Sequence, residues 1–255
     1  MGYPDSILTT RAKVEPGKYC IIPKGGTVVN SVPGFEETDV TILCSPRIGA
    51  SFSQYVSTFH PGGRTTVPFG REKDIETFIY VIDGQLKIQI EEKKAVLKTG
   101  GYAYAPPGAG ITMENNLTTE TKVLFYKQRY RALEGVEAPE WVVSSLSEVE
   151  AFNYDGIPEV TMRNLLPTDM RYDMNFHTLE CQPGAGHPFI ETHDQEHSMY
   201  VLQGSGMYNL DNTWMPVQEE DYIWMGPYSI QGAYGVGRIP MLYIYSKDCN
   251  RDVEL

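Results

Sequence analysis

The strongest constraint on the fold is a repeat. Ile79-Tyr-Val-Ile-Asp-Gly84 is matched by Met199-Tyr-Val-Leu-Gln-Gly204, Gly101-Tyr-Ala-Tyr-Ala-Pro-Pro107 by Asp221-Tyr-Ile-Trp-Met-Gly-Pro227, and Leu124-Phe-Tyr-Lys127 by Ile244-Tyr-Ser-Lys247. All three pairs keep one offset of 120 residues (79 to 199, 101 to 221, 124 to 244). One Tyr-Val-x-x-Gly phrase is a common way to end a strand, but three collinear matches in one register mark a duplicated unit. Upstream, Pro61-Gly62 matches Pro183-Gly184 at an offset of 122, so a loop differs slightly in length just before Glu191.

Between Gly, Pro and Asp turns the chain runs in short segments rich in Val, Ile, Tyr, Phe and Thr, the signature of strands. Helical periodicity is confined to Ser144–Phe152. The expected architecture is all-β: tandem modules of about 100 residues each, within the size range of single domains, joined by a short helical connector. Residues 1–135 form the first module, with residues 1–40 packing onto it, residues 136–156 are the connector, and residues 157–255 form the second module.

Composition narrows the partners. With 41% hydrophobic and 21% charged residues over 255 positions, the chain can bury a full core. Its 21 basic against 33 acidic side chains leave a net charge of -12, which repels phosphodiesters and anionic lipids and argues against nucleic acid and membrane as partners. The longest apolar runs, such as Phe78–Ile82 and Met199–Leu202, are far shorter than a membrane span. The Met-Gly-Tyr-Pro-Asp-Ser start has neither a basic nor an apolar leader region, so a cytoplasmic protein is expected. Cys20, Cys44, Cys181 and Cys249 lack CxxC spacing and read as reduced, buried or half-buried thiols. Apolar edges left by paired modules point to a homo-oligomer.

Chemistry concentrates in the second copy, at Glu191-Thr-His193-Asp-Gln-Glu-His197. On a strand Glu191 and His193 share a face, and a short turn over Asp194–Glu196 returns His197 to the same point, so three metal ligands converge. Two of only five histidines fall at this spacing. The others, His60, His177 and His187, read as structural.

These residues resemble the cupin family, whose first motif reads G-x5-H-x-H-x3,4-E-x6-G and whose second reads G-x5-P-x-G-x2-H-x3-N. Glu191 stands where the first family histidine would be, His193 matches the second, His197 replaces the glutamate and Gly204 matches the closing glycine. Gln231 takes the place of the last histidine. This permuted set, with Met207-Tyr-Asn-Leu-Asp-Asn212 and the segment from Tyr243 to Asp252, resembles the (S)-ureidoglycine aminohydrolases, two-cupin manganese enzymes of allantoin and purine degradation. The resemblance implies a hydrolase that releases ammonia from the small molecule ureidoglycine. It assigns Glu191, His193, His197 and Gln231 to the metal, and Glu191, Tyr208, Gln231, Tyr243 and Lys247 to the substrate, with Glu191 and Lys247 catalytic.

Two imidazoles, one carboxylate and one amide suit a hard-to-borderline divalent ion; Mn2+ is expected, and Fe2+, Ni2+ or Zn2+ accept the same ligand types. In the first copy the counterparts are Arg71, Lys73, Thr77 and Ile111, which are poor ligands, so that module reads as scaffold and nearby Glu72, Asp74 and Glu76 as a solvated loop. Two other functions use the same residues: another cupin chemistry such as a dioxygenase or isomerase, or a bicupin that binds a small molecule without catalysis.

Overall fold

Alternation along each repeat strand decides what it buries. In the strand Ile75–Asp83, Ile79 and Val81 face a barrel interior while Phe78 and Tyr80 face outward, and all four are buried. The outward face is buried because the second half packs against it: Phe78 stacks on Phe176 with ring centroids 3.7 Å apart, and Tyr80, Tyr102, Tyr200, Tyr222 and Trp224 belong to the same cluster. A strand covered on both faces needs apolar residues throughout, which accounts for its unbroken apolar run.

The computed structural model describes residues 12–248 and 250–253. Two jelly-roll-like β-barrels stand in tandem, built from antiparallel strand pairs. The first is one continuous sheet of ten strands wrapped around Phe59, Phe69, Ile79, Leu86, Ile111 and Phe125. The second combines an eight-stranded sheet with a three-stranded one made of Ser205–Leu210, Thr213–Gln218 and Gln231–Val236. The registers repeat with the sequence: Tyr80 pairs with Tyr102 as Tyr200 does with Tyr222, and Lys127 with Thr77 as Lys247 does with His197. The shared glycines follow from backbone geometry. Gly84 and Gly204 have φ of 90° and 77°, and a Cβ at Gly204 would meet the Pro240 carbonyl at 2.3 Å.

Three expectations are corrected. Residues 1–40 do not all pack onto the first module: Tyr19–Ile22 pairs with Tyr222–Met225 in the second barrel, whereas Val29–Asn30 and Phe35–Cys44 join the first. In return Val142–Ser145 from the connector pairs with Gly101–Ala105 of the first barrel. Cys20 faces Trp224 as Val142 faces Tyr104, and these partners are repeat equivalents, so each half lends one strand to the other. The helix expected over Ser144–Phe152 is a strand end followed by a single 3-10 turn, Leu146–Glu148, because the sheet ladder claims the backbone of Ser144 and Ser145.

The third correction is Glu76, which is fully buried between the modules. Tyr104 donates to its Oε2 at 2.5 Å and Gln128 to its Oε1 at 2.6 Å, while Gln128 also reaches Asp173 at 3.2 Å. The solvated-loop expectation survives at Glu72, which is exposed, and Asp74 pairs with Arg129. Burial first, and then Asp173 beside it, raise the Glu76 carboxyl well above its usual 4.5. A raised folded value means that the folded chain keeps a proton which the unfolded chain has released. The stability this contributes is complete below pH 4.5 and is lost as pH rises toward the folded value. Glu76→Gln keeps the shape without the proton. Its melting temperature should therefore gain steadily on that of the wild type as pH is raised from 4.5, and parallel curves in a thermal scan would sink the assignment.

Cys20, Cys44 and Cys181 are buried free thiols, and Cys249 lies outside the described residues, as does the segment 1–11. No helix among the described residues is long and apolar enough to cross a membrane.

Candidate active site and metal centre

The second barrel encloses a cavity of about 320 Å³. His197 opens the strand His197–Gln203, and Tyr243, Tyr245 and Lys247 alternate inward along Met241–Asp248. Lys247 sits directly across from His197 in the ladder. Glu191 and Gln231 form a two-bond bridge, Glu191 N to Gln231 O at 2.8 Å and Gln231 N to Glu191 O at 2.9 Å. All of these line the cavity together with Tyr208.

The segment around Glu191 is not the strand that the spacing predicts. Beyond the Glu191 bridge the backbone leaves the sheet, because Tyr228 N donates to His193 O at 2.8 Å and Thr192 Oγ1 to Tyr228 O at 2.8 Å, tying this loop to the Gly226–Ser229 turn. His193 and His197 nevertheless meet, with Nε2 atoms 2.8 Å apart, and Gln231 Nε2 lies 2.9 Å from His193 Nε2. Tyr208 holds the far side of that amide, donating to Gln231 Oε1 at 3.3 Å. The Glu191 carboxylate turns instead to His187, 3.5 Å from its Nδ1. Among the described residues no three His, Cys, Asp or Glu side chains are gathered as a metal cage.

The donor set nonetheless fits a divalent cation. Imidazole offers a lone pair only when neutral, and burial, with Lys247 adding to it, pushes the His193 value down; at His197 burial dominates, followed by His193 and Lys247. Two neutral ring nitrogens 2.8 Å apart, with the buried Gln231 amide 2.9 Å from one of them, are donors that a shared divalent cation would satisfy together. The amide presents oxygen or nitrogen by a half-turn about its last bond, with the Tyr208 hydroxyl able to donate or accept accordingly. Glu191 hangs from the same bridge as Gln231, and burial raises its carboxyl while Lys247 opposes the rise.

Sequence reasoning missed two residues. His177 and His187 line the cavity. His187 Nε2 lies 3.0 Å from the Tyr243 hydroxyl, and His177 Nδ1 lies 2.8 Å from Asn164 Oδ1. Their spacing along the chain carries no motif; the signal is cross-strand, since His177 pairs with Tyr245 on one side and Asn164 on the other. His60 lies outside the cavity, between Asp39 and Glu120.

At the equivalent position in the first barrel the described residues are packed core. Phe35, Phe59, Phe69 and Phe125 pack ring against ring, Ile111 stands in Gln231's place, and Lys127 lies over the Phe69 ring at 5.3 Å.

A family profile described as a cupin domain matches residues 55–126, within the first barrel. An Escherichia coli protein named (S)-ureidoglycine aminohydrolase is 48% identical over 256 residues, covering 100% of this chain and 97% of its own length. A rice protein named as a probable (S)-ureidoglycine aminohydrolase is 32% identical across 92% of this chain and 74% of its own length. Among solved structures, the Escherichia coli protein Ylba superposes with a TM-score of 0.89 at 45% identity over the whole of both chains. A protein from Pseudomonas aeruginosa described as glyoxylate-induced gives 0.88 at 28% identity, covering 100% of this chain and 96% of its own. A Bacillus subtilis oxalate decarboxylase variant shares the fold, with a TM-score of 0.70 at 11% identity over 94% of this chain and 79% of its own.

Proposed function

The chain belongs to the (S)-ureidoglycine aminohydrolase family of two-cupin proteins, and from that premise we propose that it converts (S)-2-ureidoglycine and water to (S)-ureidoglycolate and ammonia in purine breakdown. One observation carries the reading: the donor-lined cavity occupies the barrel whose first-copy counterpart is filled with phenylalanine. A chain retaining the motif only to fold would have no use for that asymmetry.

Glu191, His193, His197 and Gln231 would hold the ion, and Mn2+ suits this N/O set without thiolate. Bound there, it would supply Lewis acidity and an anchor that fixes which face of the substrate carbon meets water. The Lys247 ammonium pairs with the substrate's carboxylate or ureido oxygen, and the Tyr208 and Tyr243 hydroxyls orient what it holds. The reaction breaks the bond from carbon to the amine nitrogen and makes one from carbon to the water oxygen. The Glu191 carboxylate takes the proton that water loses and returns it to the departing amine, so that ammonia leaves neutral. Burial raises the Glu191 carboxyl and the Lys247 charge opposes the rise.

The same reading extends to the module boundaries 1–135, 136–156 and 157–255, with Tyr19–Ile22 and Val142–Ser145 as the strands exchanged between barrels, and to a cytoplasmic location and a homo-oligomer, the last supported by exposed apolar side chains such as Val28 and Phe189. Ammonia release from freshly generated ureidoglycine, compared for metal-stripped and Mn2+-restored protein, tests the function. Release restored by Mn2+ supports it. Oxygen uptake without ammonia points to a dioxygenase, and ligand binding without turnover to a binding protein.

A further inference from the structure

His177 is buried, stands on Met174–Cys181 and lines the cavity, yet neither the ligand set nor the substrate contacts above use it. Its neighbour fixes its chemistry. Asn164, one strand away in direct register, places Oδ1 2.8 Å from His177 Nδ1, and with the amide in this orientation the oxygen accepts and Nδ1 carries the proton. A neutral ring then presents Nε2 as a bare lone pair. Burial, with Lys247 adding to it, lowers the ring's value to about 3, so it stays in this form at neutral pH.

Most polar groups around the cavity are donors or already engaged. Lys247 donates only, and the Tyr208 and Tyr243 hydroxyls divide their hydrogen bonds between the substrate and Gln231 or His187. A ureido group needs the opposite: its carbonyl accepts, but its terminal NH2 must find an acceptor or lose hydrogen bonds on leaving water. His177 stands one ring away from the metal end. The Tyr245 ring is 4.9 Å from His177 and 5.7 Å from His197, centroid to centroid. A substrate anchored near His193 and His197 would reach His177 with its far end along the Tyr245 ring.

We propose that His177, held in one tautomer by Asn164, accepts a hydrogen bond from the terminal NH2 of the substrate's ureido group and is a specificity-determining residue for ureido over acyl side groups. The proposal rests on the function above, and its test separates the two. N-carbamoylglycine carries the terminal NH2, whereas N-acetylglycine has a methyl of similar size in its place, and neither has an amine to lose. Calorimetric titration of the intact protein, with its metal content recorded, should show N-carbamoylglycine binding about tenfold or more tighter. In His177→Phe that ratio should fall to about one with the metal unchanged, because the acceptor is gone and the ring volume kept. Asn164→Leu, which frees the tautomer, should lose most of the ratio, and it carries the comparison alone if His177→Phe does not fold. With ureidoglycine itself, KM in His177→Phe should rise more than kcat falls. A ratio preserved in both variants, or absent from the wild type, overturns the assignment even if ammonia is released. Failure of ammonia release with the ratio intact would instead remove the proposed reaction and leave the ureido acceptor standing.

Discussion

His193→Ala should leave the purified protein with little bound metal and lower ammonia release by about a hundredfold or more, since a lost ligand removes both the anchor and the Lewis acid. The loss should be confined to the second barrel. Thr77 holds the place of His197 in the first barrel, and its Oγ1 is buried without a hydrogen-bond partner, so Thr77→Ala deletes an unsatisfied group and should leave metal content and turnover nearly unchanged. Ile111, in the place of Gln231, is wholly buried among phenylalanines and offers no donor. Elemental analysis after gel filtration should accordingly give about one metal ion per chain, following the count of convergent donor sets. A ratio near two, or full metal retention in His193→Ala, would falsify the placement.

The contrast between the barrels was legible because duplication lets the chain serve as its own alignment. Once Thr77 is set beside His197 and Ile111 beside Gln231, loss of chemistry in one copy can be read without any relative. What the sequence did not disclose is where pairing is decided between distant segments. Tyr-Cys-Ile-Ile at 19–22 and Val-Val-Ser-Ser at 142–145 occupy equivalent positions in opposite barrels while sharing no residue, because each need only present a backbone edge and one apolar face to the strand it joins. The periodicity at Ser144–Phe152 was genuine but misread: Leu146 and Val149 do pack on the intermodule core, from a 3-10 turn and the extended residue after it. Glu76 looked solvated beside Glu72 and Asp74 because its partners, Tyr104, Gln128 and Asp173, lie 28 to 97 positions away (76 to 104, 76 to 173). His177 was discounted for the same reason, as its role depends on Asn164 and Tyr245 across two strand pairs.

Lys247→Met should lower kcat/KM for ureidoglycine at least about tenfold, the cost of a charge-assisted hydrogen bond worth roughly 1.5 to 3 kcal/mol, while the metal stays bound. Methionine keeps most of the length of the side chain, so the ladder positions opposite His197 and Asn175 need not move. The repeat supplies the control. Lys127 holds the equivalent place in the first barrel, pairing with Thr77 and Ser53, and a lysine there shows that the position can serve the fold alone. The surroundings tell the two apart: Lys127 lies over the Phe69 ring in a filled barrel, whereas Lys247 lines a cavity with His197, Tyr243 and Glu191. Lys127→Met should therefore forfeit only the ring contact, about 0.5 to 1 kcal/mol of stability, and leave turnover intact. If the two variants lose activity equally, or if Lys247→Met turns over normally, Lys247 is a strand-end lysine, and the substrate's anionic end must be held by another group.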